Sequence, residues 1–482
     1  MKRITLMLGT AFVITFSAYG QNDIDAIRYS QIAFGGTARF SSMAGSMGAL
    51  GGDQSVLNSN PAGIAIFRKS EFSVTPSIFS QRTSSTYYSS NSTDRKLDFN
   101  LGNIGFVATF NFNEKKSSGW ESINFGVVYN RTNSFQNRMN IEGRNKASSL
   151  LDTYIAEANG HSSSDFELFS TNLAWNSYLI NPFTDSIHYS HVIKNYGELQ
   201  KKSIETTGEM GETDISFGGN YKSKLFVGGS MGIVSTRYHE SSEYQEVDEK
   251  DTIADFKSFS LLQNLNTTGT GVNFKIGMII SLTDWLRLGA AMHTPTVINL
   301  SDSYNSTMSS NLDSGKTYNA ESPQGSFDYS ATTPFRAIGS IGFVINKIAL
   351  LNVDYEFVDY TTAQLNSSPE VFTDVNKTIR SKYTATGNVR LGGEIRFDPF
   401  AFRLGYAFYG SPYKNGDNVN ANRTSITAGF GFRENNYFID FADVFTYYTT
   451  YDYLYNPSGL NLESVKNEFS SSNLMLTFGF RF

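Results

Sequence analysis

The chain has no cysteine, only 10 prolines in 482 residues, and charged side chains at 17 % of positions. Each shortage excludes something. Without cysteine there is no disulfide framework, so an exported chain must draw its stability from elsewhere, and a closed sheet supplies it. No apolar run approaches the ~20 residues of a transmembrane helix, so a membrane protein of this sequence must cross as a barrel. A net charge of −6 offers no basic footprint for nucleic acid. No shift in composition divides the chain into soluble domains. What it has in quantity is 39 Phe, 27 Tyr and 41 Gly, a composition of many strands with tight crossings.

The first residues, MKRITLMLGTAFVITFSAYG, place Lys2 and Arg3 ahead of an apolar run over 4–16, with Ala18 and Gly20 at its end. That order predicts a secretory signal over residues 1–20 and a mature chain starting at Gln21. The run is short for a membrane anchor, and the missing cysteine excludes lipoprotein processing.

The chain ends NLMLTFGFRF, where Leu474, Leu476, Phe478, Phe480 and Phe482 alternate with Met475, Thr477, Gly479 and Arg481. A period of two marks an extended strand with one apolar face. The alternation recurs in NIGFVATFNF, SINFGVVYN, GVNFKIGMIISL, NVRLGGEIRF and AFRLGYAF. Lys275, Arg287, Asp354, Glu356, Arg390, Glu394, Arg396, Arg403, Arg433 and Arg481 all fall opposite the aromatic and aliphatic face. A soluble sandwich would share that pattern. Segment number, connector lengths and the export signal point instead to a transmembrane barrel. Asp443 breaks the parity, because it shares the face of Ile439 and Phe441, and a bulge there would restore it.

Strands are expected at 70–81, 101–112, 121–135, 211–222, 224–240, 267–282, 285–298, 334–346, 348–364, 385–397, 400–410, 423–433, 436–448 and 472–482, about 14 in all. Short connectors (NEKKSSG, KSK, TDW, NK, DP, EN) alternate with long ones, the largest spanning about 136–210. The expected fold is therefore all-β, an antiparallel transmembrane barrel over 70–482 in the outer membrane, with both barrel ends on the short-turn, periplasmic side. The terminal Phe482 suits the signal read by the barrel-assembly machinery. Residues 21–69 carry no dyad run, yet Phe34, Phe40, Met43, Leu50, Leu57, Ile64, Ile66 and Phe67 make them too apolar for a solvated tail. They are expected in the lumen as a hatch, since a barrel of this size needs filling.

From these residues the chain resembles the FadL/TodX-type family of outer-membrane transporters for long-chain fatty acids and aromatic hydrocarbons. The resemblance rests on GGTARFSSMAGSMGALGGDQSVLNSNPAGIAIF, with Asn60, Pro61 and Ala62 at its centre. It also rests on WLRLGAAMHTP, LLNVDYEFVDY, NVRLGGEIRF, AFRLGYAFYGSPY and the Phe-terminated end. It implies a monomeric 14-stranded barrel plugged by an N-terminal hatch, an outer apolar groove and an inner pocket. It further implies lateral exit through a kinked third strand, here within VVYNRTNSF. Relatives labelled haem receptors, and a branch serving surface protein secretion as scaffold or shuttle, leave the substrate open.

No catalytic motif stands out, and no enzyme activity, cofactor or metal is expected. His188 and His191 in HYSH read as surface histidines of an outer loop, without an acidic or cysteine partner in view. His293 is the only strand histidine, and no serine is identified to pair with it. The inward cations Lys275, Arg287, Arg390, Arg396 and Arg403 are the candidates to hold a carboxylate head group. Alternatively they pair with inward Asp354, Glu356 and Glu394 and with the hatch. ASSLLDTYIAEA follows helical spacing at Leu150, Leu151, Tyr154, Ile155 and Ala158, either as an apolar capture patch or as a lid on the rim. Asn60 is expected to bond neighbouring backbone or wall groups, with Pro61 fixing the turn. The functional expectation is passive uptake of hydrophobic small molecules, foremost long-chain fatty acids, with outer-membrane lipid around the barrel. A scaffold or secretion partner is the alternative, and a hatch-free polar porin a third reading.

Overall fold

The computed structural model describes residues 22–112, 119–183, 185–346, 348–368, 372–456, 459–460 and 462–482. The expected signal, the start at Gln21, most of the NEKKSSG connector and Lys347 of NK lie outside the described residues. Fourteen strands close into one antiparallel barrel. They are β1 (Glu71–Tyr87), β2 (Ser90–Asn111), β3 (Trp120–Ser134), β4 (Leu199–Tyr221), β5 (Leu225–Val247), β6 (Ser258–Ser281) and β7 (Leu286–His293). The second half comprises β8 (Arg336–Ile345), β9 (Ala349–Asp359), β10 (Ala385–Phe397), β11 (Phe400–Tyr409), β12 (Arg423–Arg433), β13 (Tyr437–Asp452) and β14 (Val465–Arg481). Pairing of β1 with β14, from Glu71↔Arg481 to Thr86↔Lys466, closes the ring.

The period of two sorts side chains as the charges foretold. Outward positions form a belt of exposed Phe, Ile, Leu, Val and Tyr, among them Phe99, Phe217, Phe274 and Leu404. Such a belt faces hydrocarbon in a membrane barrel. Inward positions bury Lys275, Asp354, Glu356, Arg390, Glu394 and Arg403. Among the described residues no helix is long and apolar enough to cross a membrane.

Three features depart from the alternation. The strands run further toward the loop end than expected: β1 reaches Tyr87 and β4 begins at Leu199. There both faces are polar, as in Thr83-Ser84-Ser85, so the pleat continues while the hydropathy signal fades. Beyond the break at Thr294–Thr296, where Pro295 has no N–H to give, the wall continues through Val297–Asn311, Thr317–Glu321 and Gly325–Thr332. No bulge occurs at Asp443, whose register is continuous on both edges. Its carboxylate stays on the outer face and accepts from Ser472 Oγ at 2.8 Å.

The segment before β1 contains α1 (Asp23–Ser30), α2 (Ala38–Ser42) and two 3-10 turns, Gln54–Asn58 and Pro61–Ile66. Each has its own side-chain cap, from Asn22, Thr37, Asp53 and Asn60 in turn. Caps satisfy the free N–H groups that a short helix leaves at its start. The segment bonds to inward groups on opposite sides of the ring, from Asn124 on β3 to Asp354 on β9 and Thr477 on β14. It therefore lies within the barrel, and its side chains Met43, Met47, Val56, Leu57 and Ile64 form a buried cluster there. The long β3–β4 connection carries α3 (Leu150–Ala158) and α4 (Thr171–Asn176), while α5 (Thr373–Lys382) precedes β10.

Candidate functional site

Asn60 sits where the N-terminal segment meets the wall. Its Oδ1 accepts from Ala62 N at 3.1 Å, capping the Pro61–Ile66 turn. Its Nδ2 donates to Gly48 O at 2.7 Å and to Met278 O on β6 at 3.4 Å. The wall accommodates this turn with glycine: a Cβ on Gly277 would overlap Asn60 Oδ1, and one on Gly228 would overlap the Pro61 carbonyl. Gly126 and Gly218 likewise leave room for Ile64. Four consecutive strands, β3 to β6, thus present a smooth socket to one turn. His293 donates from Nε2 to Ser59 O at 2.8 Å in the same layer, a structural bond.

The five inward cations named from parity are all engaged. Lys275 Nζ lies 2.9 Å from Glu212 and 2.8 Å from Asp214, and both carboxylates also hold Asn58. Arg287 donates to Leu50 O at 3.1 Å. Arg390 lies 3.9 Å from both Asp354 and Glu356, and Asp354 receives Gly48 N. Glu394 is a hub, bound by Arg39 of α2 at 3.0 Å, Arg396 at 2.6 Å and Arg403 at 2.5 Å. Arg403 continues to Asp440 at 2.7 Å. Buried charges persist only when paired and bonded, and here their partners tie the segment to the wall.

A different region of the lumen holds a cavity. A cavity of about 160 Å³ lies between Phe34–Gly36 of the segment and the loop-side lumen. Arg423 lines it, its guanidinium carbon 5.5 Å from the Tyr409 ring centre and 6.0 Å from that of Tyr448. Among the described residues no carboxylate forms an ion pair with Arg423. Gln81 also lines the cavity; it is 5 % exposed, and its Nε2 has no hydrogen-bond partner. None of the five cations named from sequence reaches this cavity.

On its far side the cavity meets a seam in the wall, at Asn100 and Arg131–Ser134. The β2–β3 ladder runs from Asn111↔Ser122 only as far as Asn103↔Asn130. Beyond it the register of β3 against β4 shifts between Arg131 and Asn133, and the strand breaks before resuming at Asn137–Arg144. The irregularity falls within VVYNRTNSF. Side chains bridge the gap: Arg131 to Asp98 at 3.3 Å, Lys96 to Glu205, and Asn140 to Asp94 at 2.7 Å. Ala33 N also donates to Thr132 O at 2.8 Å, covering part of the freed edge. Exposed Leu97, Phe99 and Leu101 flank the seam on the outer face.

The loop end is roofed. Leu150, Leu151, Tyr154 and Ala158 of α3 are buried with Tyr87, Tyr244, Phe256 and Leu454 in one apolar cluster, so this helix packs as a lid on the rim. Glu246 anchors it, accepting from Ser149 Oγ at 2.6 Å and Leu150 N at 2.8 Å. Burial, with the Glu246 charge adding to it, pushes the neighbouring Glu198 carboxyl up to about 8. Contrary to the sequence reading, both loop histidines have acidic partners, His188 with Asp185 at 2.9 Å and His191 with Asp152 at 3.0 Å. Among the described residues no three such ligands come together for a metal.

No family model and no curated protein sequence matches the chain. Solved structures do. The toluene transporter TodX of Pseudomonas putida aligns over 93 % of this chain and 99 % of its own, at 12 % identity and a TM-score of 0.54. A FadL homologue of Pseudomonas aeruginosa aligns over 94 % and 99 %, at 14 % identity and a TM-score of 0.55. The toluene transporter TbuX of Ralstonia pickettii gives 93 % and 99 %, 14 % identity and 0.50. The chain thus has the FadL/TodX-type fold over 93–94 % of its length.

Proposed function

We propose that this protein is a passive outer-membrane transporter of hydrophobic small molecules, exported by its N-terminal signal. In this reading residues 22–67 are the plug, the 160 Å³ cavity above it is the binding pocket, and the β2–β3 seam is the exit into the bilayer. The observation that carries the proposal is the continuity of the cavity with the one stretch where β2 has lost its second ladder. An unpaired edge is costly at membrane depth, and here side chains and Ala33 cover it instead of a strand. The likeness in fold to toluene transporters supports the same class of cargo. A long-chain fatty acid fits this pocket only with its tail in the seam, because the cavity is ring-sized: one of about 150 Å³ holds a benzene.

The seam can be locked. The chain has no cysteine, so Asp98→Cys with Arg131→Cys introduces one pair of thiols across the gap. The two positions stand four residues apart in register, too far for a direct disulfide, and a bis-maleimide joins them instead. Uptake of a fluorescent hydrophobic probe into proteoliposomes should fall once the cross-linker has reacted and stay unchanged in either single-cysteine variant. Uptake unaffected by the cross-link would rule out this exit.

A further inference from the structure

The cavity is not lined as a hydrocarbon pocket should be. Tyr409, Tyr448 and Phe34 give it aromatic walls, yet the guanidinium of Arg423 and the amide of Gln81 open into it without an acidic or hydrogen-bonding partner. The five inward cations described above each have a carboxylate or a carbonyl within 4 Å. Burying a donor without an acceptor costs free energy, as at Gln81 Nε2. The partly exposed Arg423 brings a cation without a paired carboxylate among the described residues to the same space, so the pocket is complementary to an anion that engages both. A guanidinium beside two aromatic faces also favours a planar group, because carboxylate and guanidinium meet fork to fork while a flat ring packs on the tyrosines.

Size narrows the class further. About 160 Å³ matches a benzene-sized occupant and excludes an extended acyl chain within the cavity itself. We infer that the pocket selects a compact aromatic monocarboxylate, of the benzoate type, whose carboxylate is taken by Arg423 and Gln81 and whose ring packs against Tyr409 and Tyr448. This inference rests on the transport reading for the location of the pocket, but it concerns the head group and size of the ligand.

The test is equilibrium binding of radiolabelled benzoate, toluene and benzylamine to the full barrel in detergent at pH 7, with palmitate as competitor. Benzoate should bind at least tenfold more tightly than toluene or benzylamine. Arg423→Gln should lower benzoate affinity tenfold or more while leaving toluene binding unchanged, and Gln81→Leu should lower it to a smaller extent. Circular dichroism and heat-modified gel mobility establish that the variants are folded; a variant that fails there is replaced by Arg423→Lys, which should retain charge and lose the fork, with an intermediate loss. Toluene binding as tightly as benzoate, or benzoate binding indifferent to Arg423, would overturn the head-group assignment. Palmitate displacing benzoate at lower concentration than benzoate itself would overturn the size limit. Proteoliposome uptake separates the two readings: toluene entry without acid preference removes this inference and leaves the transport proposal standing. Tight benzoate binding with no entry of either compound removes transport and leaves the site.

Discussion

The turn-side and loop-side halves of the lumen are built on opposite principles. Below, around α2 and the Asn60 turn, each wall charge has a partner and wall glycines let backbone approach backbone. Above, around the cavity, the guanidinium of Arg423 faces open space and the wall has lost part of a ladder. The lower half pairs its charges internally, although Arg390 Nε and Nη2 and Arg403 Nη2 keep no hydrogen-bond partner among the described residues; the upper half leaves the cation of Arg423 without a counter-ion among them. Charge inside a barrel therefore says little about ligand binding until its partners are known.

Several substitutions break or sharpen this contrast. The largest effect is expected at Glu394, whose loss leaves Arg39, Arg396 and Arg403 facing one another. Glu394→Gln should destabilise by about 3–5 kcal/mol, the usual result of breaking a buried ionic group, read as a lowered temperature of heat modification. Arg423→Gln, its counterpart above, should leave that temperature within experimental scatter. Equal effects at the two sites would erase the contrast. Next comes Gly277→Val, which drives a side chain into Asn60; overpacking of about 1–3 kcal/mol should unseat the turn and admit bulky hydrophobic antibiotics at unchanged surface abundance.

The lid supplies a pH-dependent test. The Glu198 carboxyl, ordinarily near 4.5, is raised to about 8 in the folded lid, so folding favours its protonated form. That stabilisation is complete below about pH 4.5 and is lost as pH rises through 8. Proteolytic nicking of the 145–197 loop should therefore increase between pH 6 and pH 9, and Glu198→Gln should flatten the profile. The smallest effect is expected at the seam. Asp98→Asn removes one partner of the largely buried Arg131, which keeps Glu209 at 3.1 Å, so the cost should be about 1 kcal/mol. Yet it should raise the rate of probe uptake, because it loosens the gap without removing a cavity aromatic. Unchanged uptake would mean that the ion pair does not hold the gap closed.

The sequence made the barrel legible wherever one face met lipid and the other met paired charge. Strands such as β10 and β11 were found almost to the residue, since Ile395 and Phe402 face out while Glu394 and Arg403 face in. The signal failed at the loop end, where β1 and β4 continue with polar residues on both faces, and where the Val297–Asn311 strand follows a proline break. Asp443 misled for another reason: one serine on the adjacent strand suffices to hold a carboxylate on the wrong face. The site was harder to see. Parity identifies an inward cation but not its partner, which depends on register across strands. Arg423 lies in the expected strand 423–433 on the same face as Ser425 and Thr427; only the pairing with Tyr409 and the proximity of Tyr448 show that no acid stands beside it.

The glycine-lined socket has a consequence for how the molecule is made. The N-terminal segment leaves the ribosome first, yet Ala38 N is bonded to Thr477 Oγ1, which arrives 439 residues later. Its other wall partners are spread over strands between these extremes. No partial sheet can offer that set of contacts. The segment therefore takes up its full set of contacts only once β1 meets β14. Contacts so distant in sequence are slow to form, so in a refolding assay residues 22–67 should become protease-resistant after the sheet has closed, whereas protection that appears before closure would show that the segment templates the sheet.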